Sequence, residues 1–281
     1  MGVGQLTHRE VLSLLPDRDV RGHKGDFGRL LLLCGSRGFT GAAYLAAMGA
    51  LRSGAGLVFL GVPESIYAIE AMKLNEPVVF PLPDEDGKLS HGAIPEILSR
   101  LPQMDAVLMG PGLGQSEGTF QVVKTVLERA DCPVVLDADG INVVAPHKDI
   151  LRGRTNPTVL TPHAGEFARL GGKAKERVAA AEDMARDTGC TVLLKGHNTV
   201  ITDGKTTYIN STGNPGMAVG GSGDVLAGII VSLIGQGIGP LEAAACGAWL
   251  HGATGDICEA EIGQYGMLPT DMLNVLPRLL K

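Results

Sequence analysis

Residues 213–237 read GNPGMAVGGSGDVLAGIIVSLIGQG. The stretch begins with turn formers, Gly213, Asn214, Pro215 and Gly216. A glycine cluster follows, Gly220, Gly221 and Gly223, with Ser222 inside it and Asp224 directly after. From Val225 onward the chain is apolar, through Leu226, Ile229, Ile230, Val231, Leu233 and Ile234. This is a loop feeding the N-terminus of a buried helix. The first turn of a helix leaves backbone N–H groups unpaired and carries roughly half a positive charge. Glycines let an anion approach that backbone with no Cβ in the way. A carboxylate beside a bound phosphate suits a base that takes a proton from an attacking hydroxyl, and suits a passive phosphate cradle poorly. The plainer alternative is that Asp224 complements the helix dipole and the glycines make a tight turn.

Working outward, the chain alternates strands and helices. Residues 29–34 (RLLLLC) form a continuous apolar run, the mark of a strand buried on both faces. It ends in a glycine-bearing loop, residues 35–41, before an Ala-rich helix at 42–53 and a strand at 57–61. That loop is neither a Walker A motif nor a GxGxxG fingerprint. Further strands are predicted at 78–80, 105–109, 133–136, 158–160 and 191–194, and helices at 94–101, 120–130 and 174–188. Asp203-Gly204 signals a hairpin between 199–202 and 206–209. Helices at 240–258 and 268–279 close the chain. No linker or change of composition interrupts this order. It predicts one α/β domain over 1–281, with a doubly wound, mostly parallel sheet and helices on both faces.

Composition narrows the function. The 281 residues are 44% hydrophobic and 19% charged, with 40 glycines placed at the ends of apolar runs. Net charge is −6 and no Lys/Arg block occurs, which argues against nucleic acid as a partner. No apolar run approaches the length of a membrane span. His8, Arg9 and Glu10 stand where a signal peptide would be apolar, and Leu6 breaks the myristoylation pattern opened by Met1-Gly2. Five scattered cysteines without a CxxC fit a reduced cytoplasm.

Six loops at strand carboxyl ends offer polar groups: 36–42, 110–114, 137–142, 161–166, 195–199 and 220–224. Glu166 can hold a hydrated Mg²⁺ or serve as an ordinary first-turn glutamate. Asp137 and Asp139 suit metal or hydroxyl contacts, or Asx-turns. His163 can orient a ligand, or be an ordinary loop histidine. Lys195 can pair with a phosphate, or be a surface charge. No Ser/His/Asp or Cys/His pairing stands out.

GGSGDVLAGII resembles the signature of ribokinase-like small-molecule kinases. The ordered set HKGDFGRLLLLCGSRGFTGAA, GPGLG, LDADGIN, LTPHAGEFARL, LLKGHNTVITDG and NPGMAVGGSGDVLAG, spanning residues 20–260, is similar to the ADP-dependent (S)-NAD(P)H-hydrate dehydratase family. The resemblance implies that Asp224 is the base and that Gly221, Ser222 and Gly223 form the anion hole. It implies adenine-nucleotide contacts from Lys195, Gly196, His197, Asn198, Thr199 and Gly223. It implies substrate contacts from Ala42, Gly112, Gly114, Asn142, His163 and Asp224. His197 stands where many relatives have a smaller residue.

The implied reaction dehydrates the S epimer of NAD(P)HX to NAD(P)H at the expense of ADP, with ATP as an alternative co-substrate, through transient phosphorylation of the C6 hydroxyl. Mg²⁺ is the implied cofactor, held through water by Glu166. The implied setting is a cytoplasmic homotetramer, with the NAD(P)HX epimerase on a separate chain because no room for it exists before residue 20. A ribokinase-like kinase of a hydroxylated metabolite is the alternative, and a non-catalytic nucleotide sensor is another. The carboxylate of Asp224 argues against the sensor.

Overall fold

The strand Arg29–Leu33 divides the molecule. Leu30 and Leu32 enter one apolar cluster, Leu31 and Leu33 enter another on the opposite face, and all four are wholly buried. This explains why the run is apolar at successive positions rather than alternate ones. A computed structural model describes residues 3–173 and 176–281.

In chain order the strands are β1 (Val3–Gly4), β2 (Arg29–Leu33), β3 (Leu57–Pro63), β4 (Val78–Leu82), β5 (Asp84–Glu85) and β6 (Lys88–Leu89), followed by β7 (Ala106–Met109), β8 (Val134–Leu136), β9 (Thr158–Leu160), β10 (Thr191–Leu194), β11 (Thr199–Thr202) and β12 (Thr207–Asn210). The helices are α1 (His8–Leu14), α2 (Thr40–Arg52), α3 (Glu64–Lys73), α4 (Ile94–Arg100), α5 (Glu117–Arg129) and α6 (Asp139–Val144), then α7 (Asp149–Arg152), α8 (Ala164–Arg169), α9 (Arg177–Thr188), α10 (Ser222–Gly235), α11 (Pro240–Ile262) and α12 (Pro269–Val275).

One 10-stranded sheet has the order β1-β12-β11-β10-β9-β8-β7-β2-β3-β4. β11 is antiparallel to both neighbours. The other pairings in the sheet are parallel. β5 and β6 form a separate small hairpin. The chain runs from β2 out to β4 and returns to β7 on the other side of β2, which makes β2/β7 the switch point where open α/β sheets bind ligands.

Helix α10 lies almost entirely buried over this point, and small residues let it do so. A Cβ at Gly228 would meet the Ala46 carbonyl oxygen at 2.2 Å, and one at Gly49 would meet the Val225 carbonyl oxygen at 2.6 Å. The Ala-rich composition of α2 is therefore the condition for backbone contact with α10.

The doubly wound, mostly parallel architecture agrees with the sequence reading, with differences at the element level. α3 escapes it because only Ile66 and Glu70 of the helix are buried, so no apolar stripe marks it. α6 escapes it by being short. α11 runs four residues beyond the expected end, to Ile262. The helix expected from residue 174 is observed from Arg177, and Ala174 and Lys175 lie outside the described residues, as do Met1 and Gly2. Among the described residues no helix is long and apolar enough to cross a membrane. All five cysteines are buried and free.

Candidate active site

Gly221 precedes α10 at φ +95°, a left-handed conformation, and contributes no capping side chain. A Cβ there would meet Leu45 Cδ1 at 2.4 Å, so both conformation and space call for glycine. The Ser222 N–H turns back to the Val219 carbonyl at 3.3 Å. The N–H groups of Gly223 and Asp224 have no acceptor among the described residues. They are open donors of the helix N-terminus, whereas the Ser222 N–H, one of the expected anion-hole groups, is already spent on Val219.

Asp224 sits beside these donors. Burial, reinforced by the negative charge of Asp137 and opposed by Lys195, pushes its carboxyl up to about 7. A carboxylate so placed can accept a proton near neutral pH. Lys195 Nζ lies 2.7 Å from Asp137 Oδ1 and 3.9 Å from Glu166 Oε2. Burial works to lower the Lys195 value, but Asp137 and Glu166 hold it above the ordinary one, so the ammonium stays charged. The ammonium also stands 3.4 Å from where a Cβ would project at Gly223. An anion at the open helix N-terminus would thus meet backbone N–H groups and a fixed cation together.

Asp137 is 1% exposed and also accepts the Thr161 hydroxyl at 2.7 Å, so it is an ion-paired carboxylate rather than an Asx-turn. The following residue, Ala138, holds φ +47°, a conformation that costs an L residue about 1–3 kcal/mol. Asp139 ties two loops together. Its carboxylate accepts the Gly114 N–H at 2.9 Å, the Gln115 amide at 3.0 Å and the Asn142 amide at 3.3 Å.

A cavity of about 680 Å³ opens next to this N-terminus. The expected nucleotide contacts Lys195, Gly196, His197, Asn198, Thr199 and Gly223 all line it, as do Ser222 and His163. The loop 210–219 and the α11 residues Ala248, His251 and Gly252 complete the wall. Asp256 fixes that loop by accepting the Gly213 N–H at 2.9 Å and the Asn214 amide at 3.2 Å.

The other expected substrate contacts gather separately. A Cβ at Gly112 would meet the Cβ of Ala42 at 2.8 Å, and Ser36 Oγ donates to the Gly112 carbonyl at 2.7 Å. Gly114 and Asn142 share Asp139. His163 belongs to the cavity rather than to this group. Its Nδ1 accepts the Gly165 N–H at 2.9 Å, and Glu166 accepts the His163 N–H at 2.8 Å, a closed cap on α8. Among the described residues no three His, Cys, Asp or Glu side chains converge as a metal site.

Sequence reasoning missed His251. Its Nε2 lies 3.3 Å from Ser222 Oγ, and burial lowers it to about 4, so the ring is neutral. A histidine inside the apolar run of α11 was the available signal.

A family model described as NAD(P)H-hydrate dehydratase matches residues 30–278. The chain belongs to the NAD(P)H-hydrate dehydratase family. Its architecture is the ribokinase-like α/β fold. The ADP-dependent (S)-NAD(P)H-hydrate dehydratase of Bacillus subtilis is 36% identical over 290 residues, covering 100% of this chain and 99% of that one. The structure of the Bacillus subtilis ADP/ATP-dependent NAD(P)H-hydrate dehydratase, co-crystallised with ATP/Mg²⁺, superimposes with a TM-score of 0.83 at 33% identity, covering 99% of this chain and 98% of that one. The bifunctional NAD(P)H-hydrate repair enzyme Nnr of Moorella thermoacetica is 47% identical over 98% of this chain. The chain spans about half of that relative, 53% of its length.

Proposed function

We propose that this member of the NAD(P)H-hydrate dehydratase family restores NAD(P)H from the S epimer of NAD(P)HX at the expense of ADP. The observation that carries the reading is Asp224, raised to about 7 at an uncapped helix N-terminus beside Lys195. Hydroxide is a poor leaving group from C6 of the hydrated ring. Asp224 takes the C6 hydroxyl proton, and the oxygen attacks the terminal phosphorus of ADP, releasing AMP. The open N–H groups of Gly223 and Asp224 and the Lys195 ammonium meet the charge on the phosphoryl oxygens. Phosphate then departs from C6, driven by the ring-nitrogen lone pair, and loss of a C5 proton restores the dihydronicotinamide.

The cavity lined by Lys195–Thr199 takes the nucleotide, ADP by preference and ATP as the alternative. Ala42, Gly112, Gly114 and Asn142 take the hydrated dinucleotide, with His163 contributing from the cavity wall. Mg²⁺ would reach the site on the nucleotide phosphates, met by Asp137 and, through water, by Glu166. That mode suits an ion that keeps waters and takes one or two carboxylates, and it supplies charge neutralisation at the phosphates.

The five free, buried cysteines support a reducing cytoplasmic setting. Exposed Ile262, Tyr265 and Leu268 beside the C-terminal helices support self-assembly as a homotetramer, and an epimerase activity would supply the S epimer. The test is to add the protein to S-NADHX with Mg²⁺, with and without ADP. The expected result is an ADP-dependent return of the NADH chromophore with matching phosphate release. A stable phosphorylated product, or repair with no nucleotide consumed, would overturn the reading in favour of a kinase or another chemistry.

A further inference from the structure

Three cations have no part in the chemistry around Asp224: Arg37 in the loop after β2, Lys88 at the start of β6 and Arg169 at the end of α8. They lie on one continuous run of contacts. The Arg37 N–H donates to the Gly87 carbonyl at 2.9 Å, and its side chain packs on Gly87, where a Cβ would come within 3.2 Å of Arg37 Nε. Lys88 follows directly. Its stem covers Gly114 at 3.0 Å from a Cβ position, and its Nζ donates to the Gln115 carbonyl at 3.2 Å. Gln115 and Gly114 meet Asn142 through Asp139. Asn142 in turn accepts Arg169 at 2.8 Å. The arc therefore borders the loops that hold Gly112, Gly114 and Asn142, apart from the nucleotide cavity.

Among the described residues the three cations of this arc are left without direct ion pairs. Two carboxylates on the same loops, Asp84 and Asp139, are turned into backbone and amide donors, while Glu85 and Asp86 are exposed on the β5–β6 hairpin and pair with none of the three cations. Asp84 accepts the Ser65 and Gly87 N–H groups, and Asp139 accepts Gly114, Gln115 and Asn142. In a chain of net charge −6, unpaired cations collected on one rim mark an anion site. Arg37 is exposed and Lys88 half-buried, so both heads can reach a ligand. Phe39, 59% exposed and with its Cβ 2.9 Å from a Cβ position at Gly112, adds an aromatic surface on the same side.

We propose that Arg37, Lys88 and Arg169 hold the phosphates of the dinucleotide substrate while its hydrated ring faces Asp224. The proposal rests on the dehydratase reading and assigns the half of the substrate that does not react. The shared chemistry is phosphate, from the pyrophosphate bridge or from the 2′-phosphate of the NADP form. Remote phosphates held in this way contribute binding that orients the reacting ring.

The test uses the double variant Arg37→Gln/Lys88→Met, in which methionine keeps the stem over Gly114. KM and kcat are measured for S-NADHX and S-NADPHX, KM for ADP, and binding of NADH, NADPH and ADP by calorimetry. KM for the hydrates should rise about tenfold or more, the loss expected from charged hydrogen bonds, with kcat and the ADP constants changed less than about twofold. Arg37→Lys should recover part of the loss. A rise for both hydrates assigns the arc to the pyrophosphate, and a rise for S-NADPHX alone assigns it to the 2′-phosphate. Unchanged hydrate constants, or an equal rise for ADP, would overturn the proposal. Should the wild type fail to repair either hydrate, the dehydratase reading falls, and calorimetry still decides the arc. Weaker NADH or NADPH binding with intact ADP binding supports it, and unchanged binding of both overturns it.

Discussion

Two helices of this molecule begin with nearly the same arrangement and do opposite things. In α8 and in α10 an acidic residue occupies the third helical position, Glu166 in one and Asp224 in the other. At α8 the preceding residue is His163, whose ring accepts the first N–H groups while Glu166 accepts the His163 N–H. Donors and carboxylate there are spent on each other. At α10 the preceding residue is Gly221, which has no side chain to offer. The donors stay open, and the half-buried carboxylate, near Asp137, is pushed up to about 7. The difference between the closed cap of α8 and the open N-terminus of α10 is thus a single side chain at the position before the helix.

Breaking the comparison at its reactive end should have the largest effect. On the proposed mechanism Asp224→Asn removes the base, and kcat for NADHX repair is expected to fall about 10²–10⁴-fold. The same variant should be more stable than the parent at alkaline pH. An unfolded carboxylate ionises near 3.8, whereas the folded one does so at about 7, so the folded charged form carries a cost. That cost appears as pH rises past the lower value and is complete above the higher one. Melting curves at pH 5 and pH 9 should show the gain chiefly at pH 9.

Gly221→Ala tests whether the cap position itself decides the outcome. Its φ of +95° costs an L residue about 1–2 kcal/mol. The added methyl meets Leu45, so loss of phosphoryl transfer should exceed the loss of nucleotide affinity. Calorimetry with ADP beside single-turnover assays separates the two.

The pH dependence sharpens the contrast more gently. The rate should follow the ionised fraction of Asp224, with an acid limb near 7. Asp137→Asn should move that limb down, and Lys195→Met should move it up, because these groups respectively raise and lower the Asp224 value. An unmoved limb in both variants would remove Asp224 as its source.

The smallest effect belongs to α8. Glu166→Gln keeps an acceptor for the His163 N–H and removes the charge. It should cost at most about 1 kcal/mol of stability by urea denaturation and change kcat only severalfold.

Much of this was legible along the chain. RLLLLC declared a strand buried on both faces, and GGSGDVLAG declared a glycine-capped helix with a carboxylate in its first turn. The segment Lys195–Thr199, which lines the cavity beside α10, stood out only through the family resemblance, since a lysine at a strand end reads equally as surface charge. α3 was not readable, because a helix that buries only Ile66 and Glu70 carries no periodic signal. His251 gave only a lone histidine among alanines and glycines. The residue's meaning came from Ser222, on another helix.

Sequence alone determined what neighbouring residues decide among themselves: strand and helix periodicity, the turn at Asp203-Gly204, and the uncapped start of α10. Tertiary structure decided everything that depends on distance and burial. Lys195 and Asp137 stand 58 residues apart in sequence and 2.7 Å apart in space. Asp224 titrates at about 7 because packing removes its water and brings Asp137 near. The physical reason is that conformational preference is carried by adjacent residues, while desolvation and Coulomb interaction act through space.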